Sequence, residues 1–222
     1  MIMDTEIQKN LLQIQEEIAP YKPNIIAVTK YFDENAIISA YNVGLRDFAE
    51  SRANEAVEKI NRLPADIRMN SKFHFIGHLQ SNKVKKVVSN FDFIHSVDSV
   101  KLAKSISEEA QKLNKTQNIL IQVNNANEEQ KFGFSKADLY KGFKEILKLS
   151  NIKICGLMNM APLNADEDEL NRLFKDVLDI KADLEKKFNY ELKELSMGMS
   201  QDYMIAVKHG ATMLRIGRKL FK

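Results

Sequence analysis

The chain has 222 residues, 44% of them hydrophobic, with 33 lysines and arginines against 30 aspartates and glutamates and a formal net charge of +3. That balance offers no basic field for nucleic acid or for an anionic membrane surface, and no apolar run approaches the roughly 18 residues of a membrane span. The single cysteine, Cys155, excludes an internal disulfide; together with the acidic, non-apolar start at Asp4 and Glu6 it points to a cytoplasmic protein.

In chain order, 4–19 has helical apolar spacing and stops at the break from Pro20 to Pro23. Strand-like runs follow at 25–28, 47–49, 72–76, 93–95, 118–123, 153–157, 191–195 and 212–216. Between them, helical patterns cover 33–43, 52–63, 99–113, 135–149 and 166–188. The basic run Lys83-Val-Lys-Lys86 reads as the solvated side of one more helix whose Val84, Val87 and Val88 turn inward. Cys155 lies in a strand-like run and reads as a buried structural thiol. Strands alternating with helices predict a parallel sheet with right-handed crossovers. About eight such units suit a single (β/α)8 barrel domain over 1–222 with an extra N-terminal helix; an open doubly wound sheet is the alternative.

The chemistry concentrates near the C-terminus. Leu195-Ser-Met-Gly-Met-Ser200 reads as a strand end and a glycine turn, followed by a short helix opened by Ser200 and Asp202. Backbone N–H groups and hydroxyls converging at such a turn suit a phosphate. The loop Gly210-Ala211-Thr212 is expected to add donors to the same cradle. Far upstream, Lys30 closes the apolar run Ile25-Ile-Ala-Val-Thr29. An ammonium at the end of a buried strand is either the strand's exit into solvent or, where desolvation lowers its pKa, a nucleophile toward an aldehyde. Arg215, a charge inside the final apolar strand, is either one half of a structural ion pair or a ligand to the site. His74 and His78 have metal-like spacing, but Phe75-Ile-Gly77 between them is neither helical nor acidic, so no metal is expected. His78, with Gln80 and Asn82, instead reads as lining the barrel mouth after the third strand, and Ser99 or Asp98 as capping the helix that follows Ile94-His-Ser-Val97.

Ala27-Val-Thr-Lys30, Phe73-His-Phe-Ile-Gly-His-Leu-Gln-Ser-Asn-Lys83, Ile94-His-Ser-Val-Asp98, Ile121-Gln-Val-Asn124, Gly156-Leu-Met158, Leu195-Ser-Met-Gly-Met-Ser200 and Arg215-Ile-Gly217 together resemble the pyridoxal 5′-phosphate (PLP) homeostasis proteins, the YggS/PROSC family. The motifs fall in the family's order over essentially the whole chain. The resemblance implies a barrel similar to the N-terminal domain of alanine racemase. It makes Lys30 the Schiff-base lysine, and it places Met199, Ser200 and the loop Gly210, Ala211 and Thr212 at the phosphate. It also places Arg215 and Gly217 near the cofactor ring, with Asn54 and His78 beside the site. It further implies a monomeric carrier that takes part in intracellular vitamin B6 homeostasis without robust catalysis, with PLP-dependent apoenzymes as candidate recipients. A racemase-like PLP enzyme is the alternative, disfavoured because the chain is not expected to hold a second domain with an opposing base; a cofactor-free Schiff-base barrel is more distant. Three departures stand out: Phe48-Ala-Glu-Ser51, where the family has Phe-Gly-Glu-Asn; Ala211, where it has serine; and Phe221-Lys222, where it has a glycine after the phenylalanine.

Overall fold

The computed structural model describes residues 4–126 and 132–222. Its strands are β1 (Asn24–Val28), β2 (Asp47–Glu50), β3 (Lys72–Phe75), β4 (Phe93–Val97), β5 (Gln117–Val123), β6 (Ile152–Asn159), β7 (Glu194–Met199) and β8 (Met213–Ile216). Each pairs in parallel with the next, and β8 returns to β1 with Ile26 opposite Arg215, closing the barrel. The open sheet is thereby excluded.

The helices are α1 (Asp4–Glu17), α2 (Glu34–Asn42), α3 (Ala53–Arg62), α4 (Ala65–Met69), α5 (Val84–Asn90), α6 (Val100–Lys112), α7 (Lys136–Ile146), α8 (Glu167–Phe188), α9 (Tyr203–Lys208) and α10 (Arg218–Phe221). Side-chain caps start four of them where a strand hands over to a crossover. Asp33, Ser99, Ser135 and Asp166 each accept a main-chain N–H of the first turn, meeting donors the helix itself cannot. The valine face of α5 is buried, as its spacing predicts. The N-terminal helix α1 buries Ile7, Leu11 and Ile14 and latches the chain's end. Asn10 donates to the Leu220 carbonyl at 3.1 Å, and Lys219 pairs with Glu17 at 3.0 Å.

Alternation along the strands divides the core in two. Ile25, Ala27, Phe48, Phe73, Phe75, Leu195 and Leu214 face the helices. Ile26, Val28, Ala49, Leu120, Cys155, Met158 and Met213 form a separate inner cluster. Cys155 is buried and unpaired, and burial pushes its thiol up, opposite to what a nucleophile needs.

The seventh strand lies further along than 191–195. It runs on through Met199, because Ser196 is drawn inside the barrel by hydrogen bonds and Gly198, at φ +90°, continues the strand through a bulge against β8. Among the described residues no helix is long and apolar enough to cross a membrane.

Candidate functional site

Every strand of a parallel barrel points the same way, so the residues just after the strands gather at one mouth. Lys30 lies there, two residues past β1 and half-buried. Its approach is clamped by a buried ion pair. Lys59 of α3 donates to Glu50 Oε1 at 2.6 Å and to the Thr29 carbonyl at 2.9 Å, while the Thr29 hydroxyl donates to the same Glu50 oxygen at 2.7 Å. Both side chains of the pair are more than nine-tenths covered. A charge pair so deep persists only when its remaining hydrogen-bonding capacity is met, and here the groups that meet it belong to Thr29. Lys30 itself forms no ion pair among the described residues; its ammonium lies 5.1 Å from the centre of the Tyr31 ring.

Ser200 follows β7 at the same mouth. Its Oγ accepts from the main-chain N–H groups of Gly217 and Lys219, each at 3.3 Å, so two amide donors and a hydroxyl converge where β8 hands over to α10. The N–H of Met199 is already taken, donating to Asp202 Oδ1 at 2.5 Å. Burial pushes the Asp202 carboxyl up, against the pull of that hydrogen bond and of Arg215.

Arg215 is inside the barrel and 3% exposed. One guanidinium nitrogen donates to Ser196 Oγ at 2.7 Å and another to the Asn159 carbonyl at 2.8 Å. Both partners are neutral, so the ion-pair alternative fails at the level of direct contact. Burial lowers the guanidinium to about 10, with Asp202 pulling the other way. Beside it, Asn159 Oδ1 is a buried acceptor with no hydrogen-bond partner among the described residues.

The loop Gly210, Ala211 and Thr212 is at the other end of the barrel. Thr212 Oγ1 accepts from the Leu195 N–H at 2.8 Å and donates to Glu194 at 2.6 Å, and its carbonyl accepts from Asn24 at 2.7 Å. Those residues begin β7 and β1. A loop that leads from a helix into a strand enters at the strand's N-terminal end, so this one cannot join Ser200. The alanine at 211 therefore removes no hydroxyl from the Ser200 cradle.

Asn54, in the first turn of α3, and His78, on the loop after β3, come together around a cavity of about 200 Å3 lined also by Ser51, Gln80 and Lys83. Asn54 Oδ1 accepts from Lys86 at 2.8 Å; His78 stacks on Phe132 at 3.6 Å and lies 3.3 Å from Asp98. Among the described residues neither has a hydrogen bond or ion pair with Lys30, Ser200 or Arg215. His74 diverges from His78, turning into the barrel to meet His95 and Asp47. Sequence reasoning passed over Glu50 and Lys59. The available signal was a carboxylate inside an apolar strand and a lysine on the alanine face of α3, the same kind of anomaly that exposed Arg215.

The model of the alanine racemase N-terminal domain matches residues 2–222. A pyridoxal phosphate homeostasis protein of Synechocystis sp. is 41% identical over 208 residues, covering 93% of this chain and 94% of its own. This chain belongs to the pyridoxal phosphate homeostasis protein family. A second member of the family, from Aquifex aeolicus, is 36% identical over 197 residues, 89% of this chain and 85% of its own. Among solved structures, PipY of Synechococcus elongatus with PLP bound superposes with a TM-score of 0.88 at 36% identity, over 97% of this chain and all of that one. Alanine racemase of Clostridium difficile shares the fold alone, with a TM-score of 0.80 at 15% identity over 57% of its length.

Proposed function

We propose that this chain binds PLP through a Schiff base on Lys30 and serves intracellular vitamin B6 homeostasis as a carrier, without robust catalysis. The observation that carries the reading is the meeting, at one mouth, of an ammonium free of any ion pair among the described residues and a cradle of two amide donors around Ser200.

The donor set fits the group. Lys30, Arg215, and the N–H groups of Gly217 and Lys219 form no hydrogen bond to a carboxylate among the described residues. Positive charge and donors are thus in surplus, as a phosphate dianion and a phenolate oxygen require. When bound, PLP supplies an aldehyde carbon and an electron-withdrawing pyridine ring. Lys30 would hold the aldehyde carbon. Ser200 with the Gly217 and Lys219 amides would hold the phosphate, and Met199 contributes only the backbone that carries Ser200.

Arg215 would face the ring. At about 10 its guanidinium still keeps its proton at neutral pH, so it cannot hand one to the pyridine nitrogen, and a nitrogen left unprotonated is a weak electron sink. That favours holding the cofactor over racemising an amino acid on it. The same reading takes the protein as a cytoplasmic monomer with PLP-dependent apoenzymes as recipients.

The test is the visible spectrum of the purified protein during PLP titration, followed by borohydride reduction and peptide mapping. A yellow band that reduction removes, leaving the label on Lys30, is the expected result. A protein that stays colourless at saturating PLP, or a label on another lysine, overturns the proposal.

A further inference from the structure

A line of polar side chains crosses the interior of the barrel from one mouth to the other. At the N-terminal mouth, Asp47 Oδ1 lies 2.9 Å from His74 Nε2. His74 Nδ1 lies 2.9 Å from His95 Nε2, and His95 Nδ1 lies 2.9 Å from Ser196 Oγ. Ser196 Oγ receives Arg215 at 2.7 Å. His74, His95 and Ser196 are fully buried. The five residues come from β2, β3, β4, β7 and β8, so no stretch of sequence holds the line.

Its two ends are chemically one-sided. A guanidinium can only donate, and an ionised carboxylate can only accept. Burial pushes the Asp47 carboxyl up, but the hydrogen bonds it receives from His74 and Asn24 and the nearby charge of Lys72 pull it down, and the group lies below its ordinary value, ionised at neutral pH. With those ends set, each hydrogen between them has one place. Arg215 donates to Ser196, Ser196 to His95 Nδ1, His95 Nε2–H to His74 Nδ1, and His74 Nε2–H to Asp47. The opposite sense at the histidines would aim both Arg215 and His95 at Ser196 Oγ. The Ser196 O–H would then have no acceptor among the described residues, inside a barrel where an unmade hydrogen bond is costly.

We propose that His95 is a positioning residue for Arg215: through Ser196 it orients the guanidinium at the ligand end, within a one-way chain of hydrogen bonds whose last acceptor is Asp47 at the far mouth. Burial holds His95 neutral, and the proximity of His74 and Arg215 acts in the same direction. The direct partners of Arg215, a hydroxyl and a main-chain carbonyl, carry no charge, and the carboxylate that acts on it, Asp202, forms no hydrogen bond with it among the described residues. That the ligand is PLP rests on the reading of the previous subsection; the chain itself does not.

Two measurements on ligand-free protein test the chain whatever the cofactor proves to be. Nitrogen-15 NMR of the imidazole rings at pH 7.5 is expected to find His95 neutral, with the proton on Nε2 and a bare, hydrogen-bonded Nδ1, and His74 Nδ1 accepting a hydrogen bond. A proton on His95 Nδ1 overturns the assignment. Hydrogen exchange at the Arg215 guanidinium is expected to quicken at least tenfold in His95→Phe, and less in His95→Asn, whose amide oxygen can still accept from Ser196. Equal exchange in wild type and His95→Phe overturns the positioning role. In PLP-loaded protein, His95→Phe is expected to release PLP about tenfold faster, with a displaced absorption band, and His95→Asn to restore most of the difference. A wild-type protein that never binds PLP would sink the cofactor reading while the ligand-free measurements still judge the chain. Should His95→Phe fail to fold, the wild-type NMR assignment alone decides it.

Discussion

Lys30 carries the covalent part of the proposed function. Its side chain is only half-buried, so removing it disturbs little packing. Lys30→Ala is expected to keep its unfolding midpoint while losing the borohydride-reducible adduct; an adduct retained at the native peptide would reassign the lysine. Ser200 acts on affinity instead. Losing one hydroxyl from a dianion is worth about 1.5–3 kcal/mol, so Ser200→Ala should release PLP roughly tenfold faster or more, read by stopped-flow transfer to an acceptor. Lys59 is different in kind, because its 2.6 Å partner Glu50 is buried with it. Lys59→Met strands a buried carboxylate and should cost about 3–5 kcal/mol in urea denaturation, whereas pairing it with Glu50→Leu should recover part of the loss. At this scale the sequence was partly legible. A lysine ending an apolar strand and an arginine inside one both declare themselves, but Gly210-Ala211-Thr212 misled. Small and hydroxyl residues suit a phosphate loop and a helix-to-strand turn equally, and only the end of the barrel they occupy separates the two.

At the scale of the element, β7 is where pattern and structure part. A glycine amid Ser196-Met-Gly-Met199 reads as a turn, yet the strand continues through it because a bulge absorbs the φ of +90°. A Cβ at Gly198 would come within 2.7 Å of the Ala206 Cβ and 2.9 Å of Leu214 Cδ2. Gly198→Ala therefore combines a left-handed backbone that alanine resists with contact against α9 and β8. We expect a loss of about 2–3 kcal/mol in thermal or urea unfolding. PLP release should also quicken, since Ser200 is carried on the same strand end. The helices were more legible than the strands. Asp33, Ser99, Ser135 and Asp166 announce their starts through local hydrogen bonds that need no tertiary partner.

For the molecule as a whole, the buried line through the barrel links stability to pH. In the folded state His95 lies well below 6.5, first because of burial and then because of His74 and Arg215. Below pH 6.5 the unfolded chain binds a proton at this ring that the folded barrel refuses. The unfolded state is thus favoured as pH falls, and His95 contributes stability that is full above 6.5 and lost on acidification. The slope is at most about 1.4 kcal/mol per pH unit. Urea midpoints at pH 7.5, 6.5 and 5.5 should show the decline, and a folded His95→Phe should flatten its share of it. An equal decline in both proteins would remove His95 as the cause.

The sequence by itself determined the number and order of the barrel's units, the N-terminal helix, the lysine after β1 and the serine after β7. These depend on periodicity, capping and charge placed against a local apolar background, interactions that act over a few residues. Tertiary structure alone decided the company those residues keep: Ser200 with the amides of Gly217 and Lys219, Thr29 with Glu50 and Lys59, and Arg215 with histidines more than a hundred positions away. The reason is closure. When eight parallel strands join edge to edge, strand direction sorts every loop to one mouth or the other, and alternation sends every second side chain inside. Neither sorting has any signature in the order of residues within a loop.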